Sequence, residues 1–234
     1  WHVFIALGAA LARVPRTIAH VGTWPAAHAA PGFWKFRAEV FAARPLTHRL
    51  VCCSGYVQQG VLAHLPVGRD ATTVVYNGID AAGIAQRAAA ARGTRAAGEP
   101  FRVGMVARLD DSKDHETLIA AVAGLLQSRP VELWLVGDGN DRAALEAYAA
   151  TLAEGAVKFL GVRRDVPELL GQLDAFAWSV KPDEGLGIAL IEAMAAAVPV
   201  VATDVGACRE VLVDGTLGTL VPPQDAAAMA QALD

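Results

Sequence analysis

A chain of 234 residues, 54% hydrophobic and 19% charged, is long enough for one large or two small globular domains with packed cores. A formal net charge of −4 argues against nucleic acid as the main partner, because phosphate backbones select basic surfaces. Three cysteines, adjacent at Cys52 and Cys53 and distant at Cys208, make neither a disulfide framework nor a metal-ligand spacing, so a reduced cytosolic compartment is expected. The longest apolar run, Val3–Ala12, falls short of the roughly 20 residues that span a bilayer. The chain opens at Trp1 inside an apolar segment and stops at Asp234 within a helical pattern, so a fragment truncated at both ends is expected.

In chain order, Val3–Ala12 reads as a helix, Arg16–Val21 as a strand, Phe36–Ala43 as a helix and Leu50–Ser54 as a strand. Tyr56–Leu65 follows as a helix, and Thr73–Tyr76 runs into the turn Asn77-Gly78-Ile79-Asp80. These units are too few for a finished sheet, so residues 1–80 are expected to form a partial N-terminal domain. Residues 81–100, rich in alanine, glycine and arginine, read as an interdomain segment, partly helical. Residues 101–234 then alternate strictly. Phe101–Ala107, Val131–Gly137, Val157–Gly161, Ala175–Val180, Pro199–Thr203 and Gly218–Val221 read as fully buried strands. Between them lie helical patterns, as at Asp114–Ser128, where Leu118, Ile119, Val122, Leu125 and Leu126 make one apolar face. Asp165, before Val166-Pro167, is a candidate N-cap. The class is α/β, with a doubly wound parallel sheet, and a ligand is expected at the carboxyl ends of the strands.

Candidate site residues sit at such ends. Arg108 and Lys113 follow the first of these strands and precede a helix, as either two solvated cations or a pair converging on one anion. Gly137-Asp138-Gly139 is an ordinary strand–helix turn, and without a third glycine in register it is no dinucleotide fingerprint. Val162 and Arg163 lie in a loop that either reads a base edge or serves as a helix cap. Glu184, Gly185 and Leu186 lead into the helix Gly187–Ala197, whose unblocked N-terminal N–H groups suit a diphosphate. Glu192 is the one polar side chain of that apolar helix. It either pairs with an arginine in the core or accepts bonds from paired hydroxyls such as those of a ribose. His20 ends its strand in a cleft-facing position; the other histidines have no comparable placement.

The segments Val74–Asp80, Gly104–Asp114, Leu135–Gly139, Phe159–Val166, Glu184–Ala195, Pro199–Gly206 and Arg209–Gly215, in this order, resemble the retaining GT-B glycosyltransferases of family four. The resemblance implies two Rossmann-like domains, the first incomplete here. It also implies transfer of a sugar from a UDP- or GDP-sugar to a saccharide or lipid-linked acceptor, with retention of configuration. By the same resemblance, Arg108 and Lys113 neutralise the leaving diphosphate, while Gly187, Ile188 and Ala189 hold it through backbone N–H groups. Glu192 binds the ribose, Glu184 with Gly185 positions the transferred sugar, Val162 and Arg163 contact the base, and His20 lies beside the sugar. Neither a cofactor nor a metal is implied. The implied location is cytoplasmic, with peripheral association at the inner membrane face. Two departures stand out: Ala197 replaces the usual glycine before Val198-Pro199-Val200, and Trp178–Asp183 replaces the commoner proline–serine approach to the first glutamate. A binding protein of the same fold without catalysis is the competing reading.

Overall fold

The computed structural model describes residues 2–25, 32–93 and 98–234. The chain divides into two compact units, Trp1–Asn77 with Pro182–Leu186, and Gly78–Lys181 with Gly187–Asp234.

The first unit runs α1 (His2–Leu11), β1 (Ile18–Val21), α2 (Phe33–Ala43), β2 (Arg49–Cys52), α3 (Gly55–His64) and β3 (Thr72–Val74). Its three strands are parallel in the order β1-β2-β3, with His20 opposite Val51 and Cys52 opposite Val74. Helix α2 starts at Phe33 rather than the expected Phe36, because Phe33 is itself buried and Gly32 turns the chain at φ 84. Ser54 caps α3 by accepting from the Val57 N–H at 3.1 Å. The same hydroxyl donates to the Gly185 carbonyl at 2.6 Å. Tyr56 Oη donates to the Pro182 carbonyl at 2.9 Å, and the Trp24 N–H to that of Asp183 at 3.2 Å. These bonds explain why five residues so late in the sequence belong to this unit.

The second unit holds α4 (Ala81–Ala91), β4 (Phe101–Val106), α5 (His115–Leu125), β5 (Val131–Val136), α6 (Arg142–Leu152), β6 (Val157–Gly161) and α7 (Val166–Leu170). It continues with β7 (Ala175–Trp178), α8 (Ile188–Ala195), β8 (Val200–Thr203), α9 (Gly206–Val211), β9 (Thr219–Val221) and α10 (Ala226–Leu233). All six strands pair in parallel, in the order β6-β5-β4-β7-β8-β9. Such a sheet needs cover on both faces. Helices α5, α6 and α10 pack together as one layer, and α4, α7 and α8 as another. The core is mainly apolar, with Leu118, Ile119, Leu133, Leu135, Phe176 and Leu190 fully buried, and it also encloses His115, Ser179 and Thr203.

Two differences from expectation in the second unit have a clear physical cause. The stretch 81–100 begins as a helix inside the second unit, because Ile84 and Ala88 are buried and α4 packs on α7 and α8. Residues 94–97 of that stretch lie outside the described residues. Strand β7 ends at Trp178 rather than Val180, because the Val180 N–H turns to Thr203 Oγ1 at 3.1 Å and the residue forms an antiparallel bridge with Lys113.

Candidate functional site

The strand order of the second unit reverses between β4 and β7: from β4 the chain winds outward through β5 and β6, then returns to the other side of β4 at β7. Loops leaving two neighbouring strands in opposite directions open a crevice at their carboxyl ends. The loop after β4 carries Arg108 and Lys113, and the loop after β7 leads to α8. Backbone bonds tie the two loops together, with Lys113 bridged to Val180 and the Asp114 N–H donating to the Ser179 carbonyl at 3.1 Å. Asp114 also caps α5, so Lys113 sits at a fixed point before a helix N-terminus.

The two cations are used differently. Arg108 is exposed, and its guanidinium pairs with Asp110 at 3.0 Å. A hydrogen bond from Ser112, followed by the charge of Arg108, holds the Asp110 carboxyl below its ordinary range. Lys113 is half-buried, with Nζ 5.0 Å from the centre of the Trp178 ring. Beside them a cleft of about 380 Å³ opens between the N-termini of α5 and α6, lined by Asp110, Lys113, His115, Asp141 and Lys181. His115 is only 2% exposed, and burial, with Lys113 nearby, pushes its pKa down to about 4, so it is neutral at pH 7. Sequence reasoning passed over His115. The available signal was its place directly after an N-cap aspartate, two residues from a scarce lysine.

Helix α8 begins at Gly187, whose φ of 83 lies in the left-handed region. A Cβ there would stand 2.9 Å from Trp178 Nε1, so both the turn and the packing require glycine. The N–H groups of the first turn, from Ile188 and Ala189 onward, have no intrahelical acceptor, and that turn carries no acidic side chain to answer its dipole. Ile188 is 41% exposed at this end. One turn on, Glu192 is half-buried, and burial raises its carboxyl pKa. Among the described residues no arginine pairs with Glu192, as the core ion-pair alternative would require.

Val162 is 79% exposed in the loop after β6. Arg163 grips Asp165 with two bonds of 2.8 and 2.5 Å, and this pairing draws the Asp165 pKa down to about 2. The expected cap is thus corrected: Asp165 is the N-cap residue of α7, but its side chain turns to Arg163 and makes no capping bond. Three candidates lie in the first unit. His20 is an exposed residue of β1. Glu184 Oε1 accepts from the N–H groups of Gly185 at 3.0 Å and Leu186 at 3.4 Å, a local turn that orients the carboxylate. Gly185 is buried where a Cβ would collide with the Gly22 carbonyl. Among the described residues, no three His, Cys, Asp or Glu side chains are arranged to hold a metal ion.

With this geometry in view, comparison with known proteins is decisive for the family. The family model of glycosyl transferases group 1 matches residues 100–234, more than half of the chain. The chain belongs to the glycosyl transferases group 1. Within this family it is 39% identical over 124 residues to the phosphatidyl-myo-inositol mannosyltransferase of Mycobacterium leprae, covering 52% of this chain and 33% of the relative. It is 31% identical over 188 residues to the glycogen synthase of Mycobacterium tuberculosis, covering 79% of this chain and 44% of that enzyme. The crystal structure of Anabaena HepE in complex with UDP and glucose superposes with a TM-score of 0.85 at 27% identity, over 99% of this chain and 64% of HepE. The chain therefore spans about a third of the length of the mannosyltransferase and less than two thirds of HepE. The α/β architecture with parallel sheets is that of the GT-B glycosyltransferases.

Proposed function

We propose that this group 1 family member transfers a sugar from a nucleoside-diphosphate sugar to a saccharide or lipid-linked acceptor hydroxyl, with retention of anomeric configuration. One observation carries the reading: Glu192, a half-buried carboxylate without a compensating cation among the described residues, stands on the helix whose N-terminal N–H groups open at the switch point of the sheet. A buried charge of this kind is costly to the fold and is explained by hydroxyl groups that it grips.

In this reading the N–H groups of Ile188 and Ala189, reached through Gly187, receive the diphosphate, and Lys113 with Arg108 neutralises its charge as the bond to the sugar breaks. That bond's electron pair stays on the phosphate oxygen. The acceptor oxygen attacks the same face of the sugar, and the departing phosphate takes the acceptor's proton. Glu192 holds the ribose and Val162 and Arg163 meet the base. Glu184, with Gly185, positions the sugar rather than attacking it, and His20 assists. The cations and the helix dipole do the work of a metal, so none is required. The HepE complexes, which contain UDP and UDP-glucose, support UDP as the first probe and GDP as the second.

The test is calorimetry with UDP on the wild type and on Glu192→Gln. Losing a charged acceptor of two hydroxyls is expected to weaken binding about 10- to 100-fold. Equal affinities would remove Glu192 from the ribose site. Release of UDP from UDP-sugar in the presence of acceptor separates an enzyme from a binding protein.

We also place the protein at the cytoplasmic face of the membrane as a peripheral protein. Among the described residues, no helix is long and apolar enough to cross a membrane. Residues 1–77 hold seven Arg and Lys against two acidic residues, and expose Phe4, Ile5, Leu11, Trp34 and Phe41. Flotation with vesicles containing phosphatidylglycerol tests this, and failure to float at low salt would refute it.

A further inference from the structure

Three separate observations meet on Trp178. Its side chain is 3% exposed and stacks on Phe176, with centroids 6.1 Å apart, so the indole plane is held from within β7. Lys113 Nζ lies 5.0 Å from the ring centre. Its edge closes on Gly187, where any Cβ would press against Nε1 at 2.9 Å. The backbone at this point is equally constrained. Thr203 Oγ1 accepts from the Val180 N–H and donates to the Trp178 carbonyl at 3.3 Å, and the Ser179 carbonyl takes the Asp114 N–H. Trp178 Nε1–H is buried and has no hydrogen-bond partner, so the indole is not kept for a bond it makes within the protein.

We propose that Trp178 is a positioning residue of the phosphate site, whose ring face holds the Lys113 ammonium while its edge sets Gly187, so that the cation and the α8 N-terminus are presented at a fixed separation. The inference rests on the reading of Lys113 and α8 as diphosphate groups given above. Its physical basis is that a lysine loses much of its aim through rotamer freedom. A ring held between Phe176 and Gly187 narrows that freedom through cation–π attraction.

The experiment compares UDP and uridine affinities by calorimetry for the wild type, Trp178→Phe, Trp178→Leu, Lys113→Met and the double variant Trp178→Leu with Lys113→Met, with a thermal melt of each. Trp178→Leu is expected to lower UDP affinity about tenfold, leaving uridine within about twofold. Trp178→Phe keeps a ring and gives up only an unused N–H, so it is expected to retain UDP affinity within about threefold. In the Lys113→Met background, Trp178→Leu should produce no further loss, because the two act as one unit. Three results overturn the inference alone: a Trp178→Leu variant that melts lower yet keeps the wild-type ratio of UDP to uridine affinity; a Phe variant as weak as Leu; or additive losses in the double variant. If Lys113→Met itself leaves that ratio unchanged, the phosphate reading of Lys113 fails first and the inference with it.

Discussion

Two titratable side chains, the half-buried Glu192 and the buried His115, are desolvated by the same fold and respond to pH in opposite ways. His115 binds its proton at about 4 in the folded protein against 6.5 when free. The unfolded chain therefore takes the proton first, so stability is complete above the free value and falls as the pH drops through that window. A shift of this size amounts to on the order of 3 kcal/mol once both states are protonated. His115→Gln is expected to flatten the acid limb of a plot of stability against pH, as measured by urea unfolding between neutral pH and the acid transition. Glu192 has a raised pKa, so the folded state holds its proton more tightly than the unfolded chain does. Its ionisation weakens the fold as pH rises above the ordinary carboxylate range. Glu192→Gln should therefore be more stable than the wild type at neutral pH, with the gain vanishing in acid. Greater stability together with lost UDP binding is what a residue kept for a ligand shows. A Gln variant less stable at pH 7 than the wild type would point instead to a structural role.

At the scale of the element, helix α8 is bounded by a left-handed residue at each end, and only one of them is glycine. Gly187 opens it at φ 83, and Ala197 follows its last turn at φ 54. The Ala197 N–H bonds to the Met194 carbonyl at 3.0 Å and the Val198 N–H to that of Ala193 at 3.1 Å, the two bonds of a Schellman cap. Ala197 is therefore more than a packing substitution for the usual glycine, because an L-residue here bears backbone strain. Arg92 steadies the cap by donating to the Ala196 carbonyl at 2.8 Å. Ala197 is exposed, so Ala197→Gly loses no packing and is expected to gain about 1 kcal/mol, read as a rise of a few degrees in Tm. Gly187→Ala should do the reverse. It forces an L-residue into the left-handed region and against Trp178, lowering both Tm and UDP affinity, whereas Ala197→Gly changes Tm alone.

Across the whole molecule, the chain passes between its two units at residues 77–78, 181–182 and 186–187, so neither unit is a continuous stretch of sequence. The six-stranded sheet has β4 and β7 at its centre, buried under two helix layers, while the three-stranded sheet has β1 at an edge with Ile18 64% exposed. Amides of β4 and β7 are accordingly expected to exchange with deuterium slowest, and those of β1 earliest. Uniform protection across both sheets would contradict that ranking. The alternation of apolar runs with helical patterns made the second unit's strands legible within a residue or two, but the full burial expected of all six holds only for β7 and β8. The edge strands β6 and β9 are partly open to solvent, so β6 carries the exposed Lys158. The unit's motifs likewise made the candidate residues legible, since turn glycines and isolated charges stand out against an apolar background.

What the sequence determined by itself was local: apolar runs, left-handed turns, the lone Glu192 on its helix, and the ordered motifs that mark the family. Tertiary structure alone decided partners and membership. It brought Ser54 to the Gly185 carbonyl across 131 positions and so drew Pro182–Leu186 into the first unit. It likewise left Glu192 without a cation partner among the described residues. A hydrogen bond or an ion pair depends on distances of about 3 Å between groups remote in sequence, and only the packed chain fixes those.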